Sequence, residues 1–267
     1  MEVNRVDKKI MEVKQLSVKM KDERFLIKNL NFNLYKGGVT AIIGLSGCGK
    51  SLTCKSILGL LDKNCFVSKG EIIYKQKNLM AISNKEMSKI RGNDIGIIMQ
   101  NPMTAFDPLT KIGRQMSETL MAHNKKMNKK QAIRVSIEMI RKMKVENPEA
   151  VVNSYPFSLS GGMLQRIMIA LTILLEPELI IADEITTAID ASSRKMVLNE
   201  LHKMKRNGIS LLYITHSFDE VVHIADYVLV MKEGVIVERG DVDDVMTRPK
   251  HVYTKALIDS KLIGQDF

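Results

Sequence analysis

The chain has little that would anchor, cross-link or repeat it. Across 267 residues no run approaches the roughly 20 consecutive apolar residues that cross a bilayer, so no transmembrane helix is expected. The stretch Met1 to Lys9 has no apolar signal core, and the protein is expected to stay in the cytosol. The three cysteines, Cys48, Cys54 and Cys65, are too few and too irregularly spaced for a disulfide framework or a metal site. No internal repeat is present. Nor are aromatics interleaved with the local lysine clusters Lys125-Lys126 and Lys129-Lys130, so the formal charge of +10 brings no surface on which bases could stack. A solvated helix face accounts for that charge better than a nucleic-acid partner, although proximity to an anionic membrane face also fits.

What is there begins with Gly44-Leu45-Ser46-Gly47-Cys48-Gly49-Lys50-Ser51, between the apolar run Val39–Ile43 and the stretch Leu52 to Leu58. A strand ending at Ile43 and a helix beginning near Lys50 would leave Gly44, Gly47 and Gly49 to turn their N–H groups toward a phosphate with no Cβ in the way. Lys50 supplies a point charge for the β- and γ-phosphates. Ser51 places a hydroxyl where it can ligate Mg²⁺. Only one such loop is visible, and the length leaves no room for a second nucleotide-binding domain.

Around this loop the pattern is α/β. Loose alternation over Met11 to Met20 and Phe25 to Leu34 predicts a small antiparallel β-layer feeding the strand Val39–Ile43. Further strands are expected at Glu71 to Tyr74, Ile95 to Met99, Leu179 to Ala182 and Ile209 to Ile214, with a hairpin over Tyr227 to Arg239. Helical spacing covers Lys111 to His123, Lys130 to Met143, Met163 to Leu175, Ser192 to Asn207 and Tyr253 to Leu262. The methionines of the middle segment sit at core spacing, which favours packing over metal handling. Strands alternating with helices imply a mainly parallel sheet with a ligand at the strands' carboxyl ends.

Three strand ends carry the residue types that phosphoryl transfer to water requires. Asp183 would hold Mg²⁺ with Ser51, Glu184 would act as general base, Gln100 would touch metal and water, and His216 would hydrogen-bond the γ-phosphate. Taken singly, Asp183-Glu184 could be an acidic helix cap, Gln100 a turn residue and His216 a surface residue. Ser160 is well placed as an N-cap of the helix that follows it.

Taken together, these residues resemble the ATP-binding subunits of ABC transporters over nearly the whole chain. The resemblance makes Gly44, Ser46, Gly47, Cys48, Gly49, Lys50, Ser51 and Leu52 the Walker A nucleotide site, and Gln100 the Q-loop glutamine. Asp183 and Glu184 become Walker B with its catalytic glutamate, Ala188-Ile189-Asp190 the D-loop and His216 the switch histidine. LSGGM at Leu159 to Met163 is similar to the signature motif, so Ser160, Gly161 and Gly162 would cap the γ-phosphate of ATP held by an opposing subunit. The implied fold is a P-loop ABC-type nucleotide-binding domain, 1–267, with an antiparallel β-layer, a helical subdomain at about 101–175 inserted in the RecA-like core, and a C-terminal helical appendage at about 241–267. The implied cofactors are ATP and Mg²⁺. Met163 and Ile185 depart from the usual glutamine and proline, but neither departure removes a group that touches phosphate or metal. Phe25 is the nearest candidate to stack on adenine, although a β-layer core position suits it better.

The stretches Gln100 to Pro108 with Ile112 to Gln115, Leu159 to Arg166, and His251 to Leu257 are similar to the dipeptide, oligopeptide and nickel importer branch. LSGGMLQR and the end at Phe267 lean toward its nickel and metal-chelate members. The implied partners are two membrane permease subunits, a homologous ATPase subunit or a second copy, and an extracytoplasmic substrate-binding protein, with the chain on the cytoplasmic face of the cell membrane. Gln100 to Gln115 would transmit motion to the permease. A soluble ABC ATPase acting on nucleic acid usually carries two nucleotide domains or a long coiled coil, and neither is present. A module that binds ATP without hydrolysing it would not need Glu184 and His216.

Overall fold

The protein is described by a computed structural model over residues 9–187 and 189–263, with side chains to Ser260. The N-terminal stretch Met1 to Lys8, Ala188 of the expected D-loop and the last four residues lie outside the described residues.

In chain order the elements are β1 (Lys9–Met20), β2 (Phe25–Tyr35), β3 (Val39–Ile43), α1 (Lys50–Ile57), β4 (Cys65–Tyr74), β5 (Lys77–Asn78), α2 (Asn84–Ile90) and β6 (Ile95–Ile98). Then come α3 (Ile112–His123), α4 (Lys129–Lys142), α5 (Pro148–Val151), α6 (Gly161–Leu174), β7 (Leu179–Asp183) and α7 (Ala191–Arg206). The chain finishes with β8 (Ser210–Ile214), α8 (Phe218–Ile224), β9 (Tyr227–Lys232), β10 (Val235–Asp241), α9 (Val242–Thr247) and α10 (Val252–Ile263). It divides into two compact units, one of residues up to Lys89 and from Lys205 onward, the other Ile90–Met204.

The first unit carries the expected antiparallel layer, in the order β2-β1-β4-β5. Alternation in β1 is loose because the register shifts between Val13 and Leu16, where Gln15 takes φ 48°. The Gln15 N–H there turns aside to Asn31 Oδ1 at 2.9 Å. Gly70, opposite this bulge, has φ 118°, and a Cβ on it would stand 2.6 Å from the Lys14 carbonyl, so no other residue fits. Phe25 is not in the core of this layer. It opens β2 at the edge of a turn, 45% exposed, with Lys19 Nζ 4.7 Å from its ring centre.

The same unit holds β10-β9-β3-β8, with β3 parallel to both β8 and β9. Every residue of β3 and β8 is buried, as expected for strands covered on both faces. Against β3 and β9 lies a cluster of Ala41, Ile43, Val228 and Val230 with Val221 of α8, Val242 and Val245 of α9 and Leu257 of α10. Helix α8 was not expected from the sequence, and α9 only as an unspecified part of the helical appendage at about 241–267. With seven and six residues they are too short to show a helical period above their surroundings.

The second unit pairs β6 with β7 in parallel and packs α3, α4 and α6 around Leu120, Ala132 and Leu175. Met121 and Met127 pack against this cluster, and Met116 and Met143 are fully buried, so the methionines of this segment serve as core. Helix α4 opens on a capping box between Asn128 and Gln131. Glu200 of α7, 6% exposed, takes ion pairs from Lys142 of α4 at 2.9 Å and from Lys203 at 2.6 Å.

Candidate functional site

In the first unit the glycine-rich turn leaves the carboxyl end of β3 and enters α1 at Lys50, as its sequence predicts. Gly44, Gly47 and Gly49 have φ of 154°, 79° and 107°, but for different reasons. A Cβ on Gly44 would lie 2.2 Å from the Met231 carbonyl oxygen, and one on Gly49 2.8 Å from Met231 Cε. These two are glycine because β9 stands behind them. A Cβ on Gly47 would meet nothing within 4 Å, so at Gly47 the backbone lies bare and open to a ligand. Ser46 and Gly47 are exposed, while Cys48 and Lys50 are buried. The Cys48 carbonyl accepts from Gly234 N–H at 2.9 Å. Lys50 folds its ammonium into the loop, donating to the Gly44 carbonyl at 2.9 Å and the Leu45 carbonyl at 3.1 Å. No side chain caps α1, whose N-cap residue is Gly49. Bare backbone, a buried cation and an uncapped helix start fit a phosphate.

His216 follows β8, whose Ile214 is the register partner of Ile42, so it and the loop leave the same end of one parallel pair. His216 itself is exposed. The turn that carries it is fixed by Glu220 of α8, a residue the sequence reading passed over. Glu220 is 2% exposed, and its Oε2 accepts from Thr215 Oγ1 at 2.6 Å and from Tyr213 OH at 2.8 Å. Thr215 Oγ1 in turn accepts from Ser217 N–H at 3.0 Å. Two hydroxyls beside a histidine at a strand end were the available sign of a buried acceptor.

In the second unit β6 and β7 run parallel with Ile98 opposite Ala182, which sends Gln100 and the pair Asp183-Glu184 off the same end. Gln100 Nε2 donates to Glu184 Oε2 at 2.9 Å. Glu184 is half-buried and takes φ 46°, an uncommon conformation for a residue with a Cβ. Its carbonyl accepts from Thr187 Oγ1 at 3.0 Å, and Ile185 beside it is fully buried, so an apolar plug stands where proline was expected. Asp183 is 4% exposed at the end of β7. Asp190 Oδ1 accepts from Ser193 N–H, and the Ser193 hydroxyl and then this N–H hold its carboxyl below the usual range.

Ser160 caps α6 as its type predicts, its Oγ accepting from Met163 N–H at 3.3 Å. A Cβ on Gly161 would meet open space, so nothing in the described structure demands glycine there. Gln165, also missed, is fully buried on α6 and donates Nε2 to the Met99 carbonyl, next to Gln100, at 3.3 Å.

The same unit presents an exposed apolar surface. Leu109 is 82% exposed, Tyr155 and Phe157 stack with ring centres 5.5 Å apart, and Lys111 Nζ lies 5.9 Å over Tyr155. A groove of about 560 Å³ runs beside them between Arg114, Ile133 and Val152. Among the described residues no helix is long and apolar enough to cross a membrane.

Residues 27–187 match the family described as ABC transporter. The chain is 40% identical over 258 residues, 95% of its length and 74% of the relative's, to the dipeptide transport ATP-binding protein DppD of Lactococcus lactis subsp. cremoris. It is 42% identical over 237 residues to the metal-staphylopine import system ATP-binding protein CntD of Staphylococcus aureus, covering 88% of this chain and 87% of that one. Among solved structures, a dimeric post-hydrolysis state of the ATP-binding cassette MJ0796 bound to ADP and Pi superposes with TM-score 0.78 at 23% identity, over 87% of this chain and 98% of that one. A glycine loop that fits a phosphate, a carboxylate and a glutamine joined at parallel strand ends, and these likenesses agree, and the chain belongs to the ABC transporter family as one of its ATP-binding, ATP-hydrolysing cassettes.

Proposed function

We propose that this ABC importer ATPase powers uptake of nickel or a metal chelate, with Glu184 as its general base. The observation that carries the catalytic assignment is the hydrogen bond from Gln100 Nε2 to Glu184 Oε2. It orients the carboxylate that would polarise a water. Gly44, Ser46, Gly47, Cys48, Gly49, Lys50, Ser51 and Leu52 hold the phosphates of ATP, and His216 hydrogen-bonds the γ-phosphate. Ser51, Gln100 and Asp183 offer hard oxygen donors of the kind Mg²⁺ takes. When bound, that ion neutralises charge building on the β- and γ-phosphate oxygens. Exposed Ser160 and Gly161, with half-buried Gly162, at the start of α6 form an anion-binding helix end for the γ-phosphate of ATP on an opposing subunit, either a homologous ATPase or a second copy.

The 267 residues act as one ATP-binding domain, with about 101–175 as its helical subdomain and about 241–267 as its appendage. Leu109, Tyr155 and Phe157 form the surface on which a permease subunit docks at the cytoplasmic face of the membrane, with a second permease subunit and an extracytoplasmic binding protein completing the complex. The likeness to CntD supports a metal-chelate cargo, and the likeness to DppD supports a dipeptide or oligopeptide as the alternative. Vesicles reconstituted with the permease pair and both ATPases separate the two. ATP-driven uptake of a nickel chelate supports the first reading, uptake of peptides alone the second, and no ATP dependence for either overturns both.

A further inference from the structure

The stretch His251-Val252-Tyr253-Thr254 has no part in the chemistry above, yet it reaches the phosphate loop. Leu45, the second residue of that loop, donates its N–H to the Tyr253 hydroxyl at 3.1 Å. The Leu45 carbonyl accepts from Lys50 Nζ at 3.1 Å and from Cys48 N–H at 3.3 Å. Leu45 is therefore fixed at both ends of its backbone, although its side chain is 60% exposed and packs little.

Tyr253 is itself held in place. Glu238 of β10 accepts from the N–H groups of Lys250 at 2.7 Å and His251 at 3.0 Å, which sets the entry of α10. His251 Nδ1 accepts from Tyr253 N–H at 3.1 Å. The tyrosine ring lies 5.4 Å from Lys232 Nζ at the end of β9, and Leu257, one turn further along α10, is buried with Ala41 and Ile43 of β3. A chain of hydrogen bonds thus runs from β10 through the start of α10 to the loop, while α10 packs on the strand that delivers the loop.

We propose that Tyr253 is a positioning residue for nucleotide binding, whose hydroxyl holds the Leu45 peptide so that the N–H groups beyond it face the phosphate. Its weight grows when nucleotide binds. Lys50 is drawn toward the phosphates and its grip on the Gly44 and Leu45 carbonyls loosens, which leaves the Tyr253 contact as the side-chain restraint on this peptide. The proposal rests on the phosphate-loop reading of Gly44 to Ser51.

Tyr253→Phe tests it in the full chain, since the ring and its packing stay and only the acceptor is lost. The dissociation constant and KM for Mg-ATP should rise about three- to tenfold, the worth of one net hydrogen bond, with kcat at saturating ATP nearly unchanged. Amide exchange at Leu45 should quicken. Unchanged ATP affinity, or weaker affinity with Leu45 exchange as in the wild type, would overturn the proposal. Should Tyr253→Phe lose stability, Glu238→Gln provides the second measurement. It leaves the hydroxyl in place but weakens the hydrogen bonds that set α10, so a smaller shift of the same sign is expected, and no shift overturns the proposal. A wild-type chain that bound no ATP would instead sink the loop assignment itself.

Discussion

The phosphate loop and the segment after β6 both leave the carboxyl end of a parallel strand, and they are held in opposite ways. The loop is fixed largely by backbone. Its Cys48 carbonyl is tied to Gly234 N–H, Gly44 and Gly49 fit against Met231, and its lysine is turned inward. The segment from Gln100 to Gln115 is fixed by side chains that bond to neighbouring backbone. Asn101 Oδ1 accepts from Met103 N–H, and Gln115 Oε1 accepts from Asp107 N–H at 2.8 Å. Gln115 Nε2 donates to the carbonyls of Asp107 at 2.9 Å and Thr110 at 2.7 Å. Backbone ties persist while a ligand is exchanged, whereas single side-chain contacts can be traded. The first suits a cradle that keeps its shape. The second suits a sensor that must change partners when ATP arrives.

The largest effect should come from breaking the sensor's acidic partner. Glu184→Gln keeps size and hydrogen bonding but loses the basic oxygen, so hydrolysis should fall about 10²- to 10⁴-fold while ATP affinity holds. Sedimentation in Mg-ATP should show a trapped pair, with the natural partner added if one chain alone does not self-associate. Adding Ser160→Arg should abolish that pair by placing bulk and charge at the exposed start of α6. Hydrolysis at the wild-type rate, or a trapped pair indifferent to Ser160→Arg, would refute the shared-site reading.

The cradle should respond in affinity instead. Lys50→Ala removes the loop's buried ammonium, and ATP should bind about ten- to hundredfold more weakly, the worth of one charge-assisted hydrogen bond or more. Equal affinity by titration calorimetry would remove Gly44 to Ser51 from the nucleotide site.

Much of this was legible in the sequence. The loop, the strand ends and the cap at Ser160 follow from local rules: a glycine where φ is positive, a polar residue after an apolar run, a serine before a helix. Long-range partners were not legible. Glu220 sits on a helix of seven residues, and Tyr253 lies 208 residues from the amide it accepts. Phe106, within the segment expected to transmit motion to the permease, is buried at 6% exposure, so changing it would disturb packing first. Its neighbour Leu109 is the better probe. Leu109→Asp should weaken permease binding in a pull-down several-fold and leave ATP affinity intact, and equal losses of both would erase the division between cradle and sensor.

The smallest effect is also the most direct measure of how the segment is held. Asp107 Oδ2 accepts from Thr110 Oγ1 at 2.6 Å, and its Oδ1 accepts from Leu109 N–H at 3.0 Å. These two bonds, the hydroxyl first, hold the Asp107 carboxyl below its ordinary value. A depressed carboxyl stabilises the turn fully above its unfolded pKa of about 3.9 and loses that contribution as pH falls through the lower folded value. Lowering the pH below about 4 should therefore quicken amide exchange at Leu109, after correction for the intrinsic pH dependence of exchange. Asp107→Ala should show the quickened rate already at neutral pH, with no further acid step. At Leu45 no step of this kind is expected, since its backbone bonds to an amide, an ammonium and a phenol rather than to a carboxylate. An acid step of equal size at Leu45 and Leu109 would mean that the two turns loosen together, and the contrast between backbone-held and side-chain-held turns would fail.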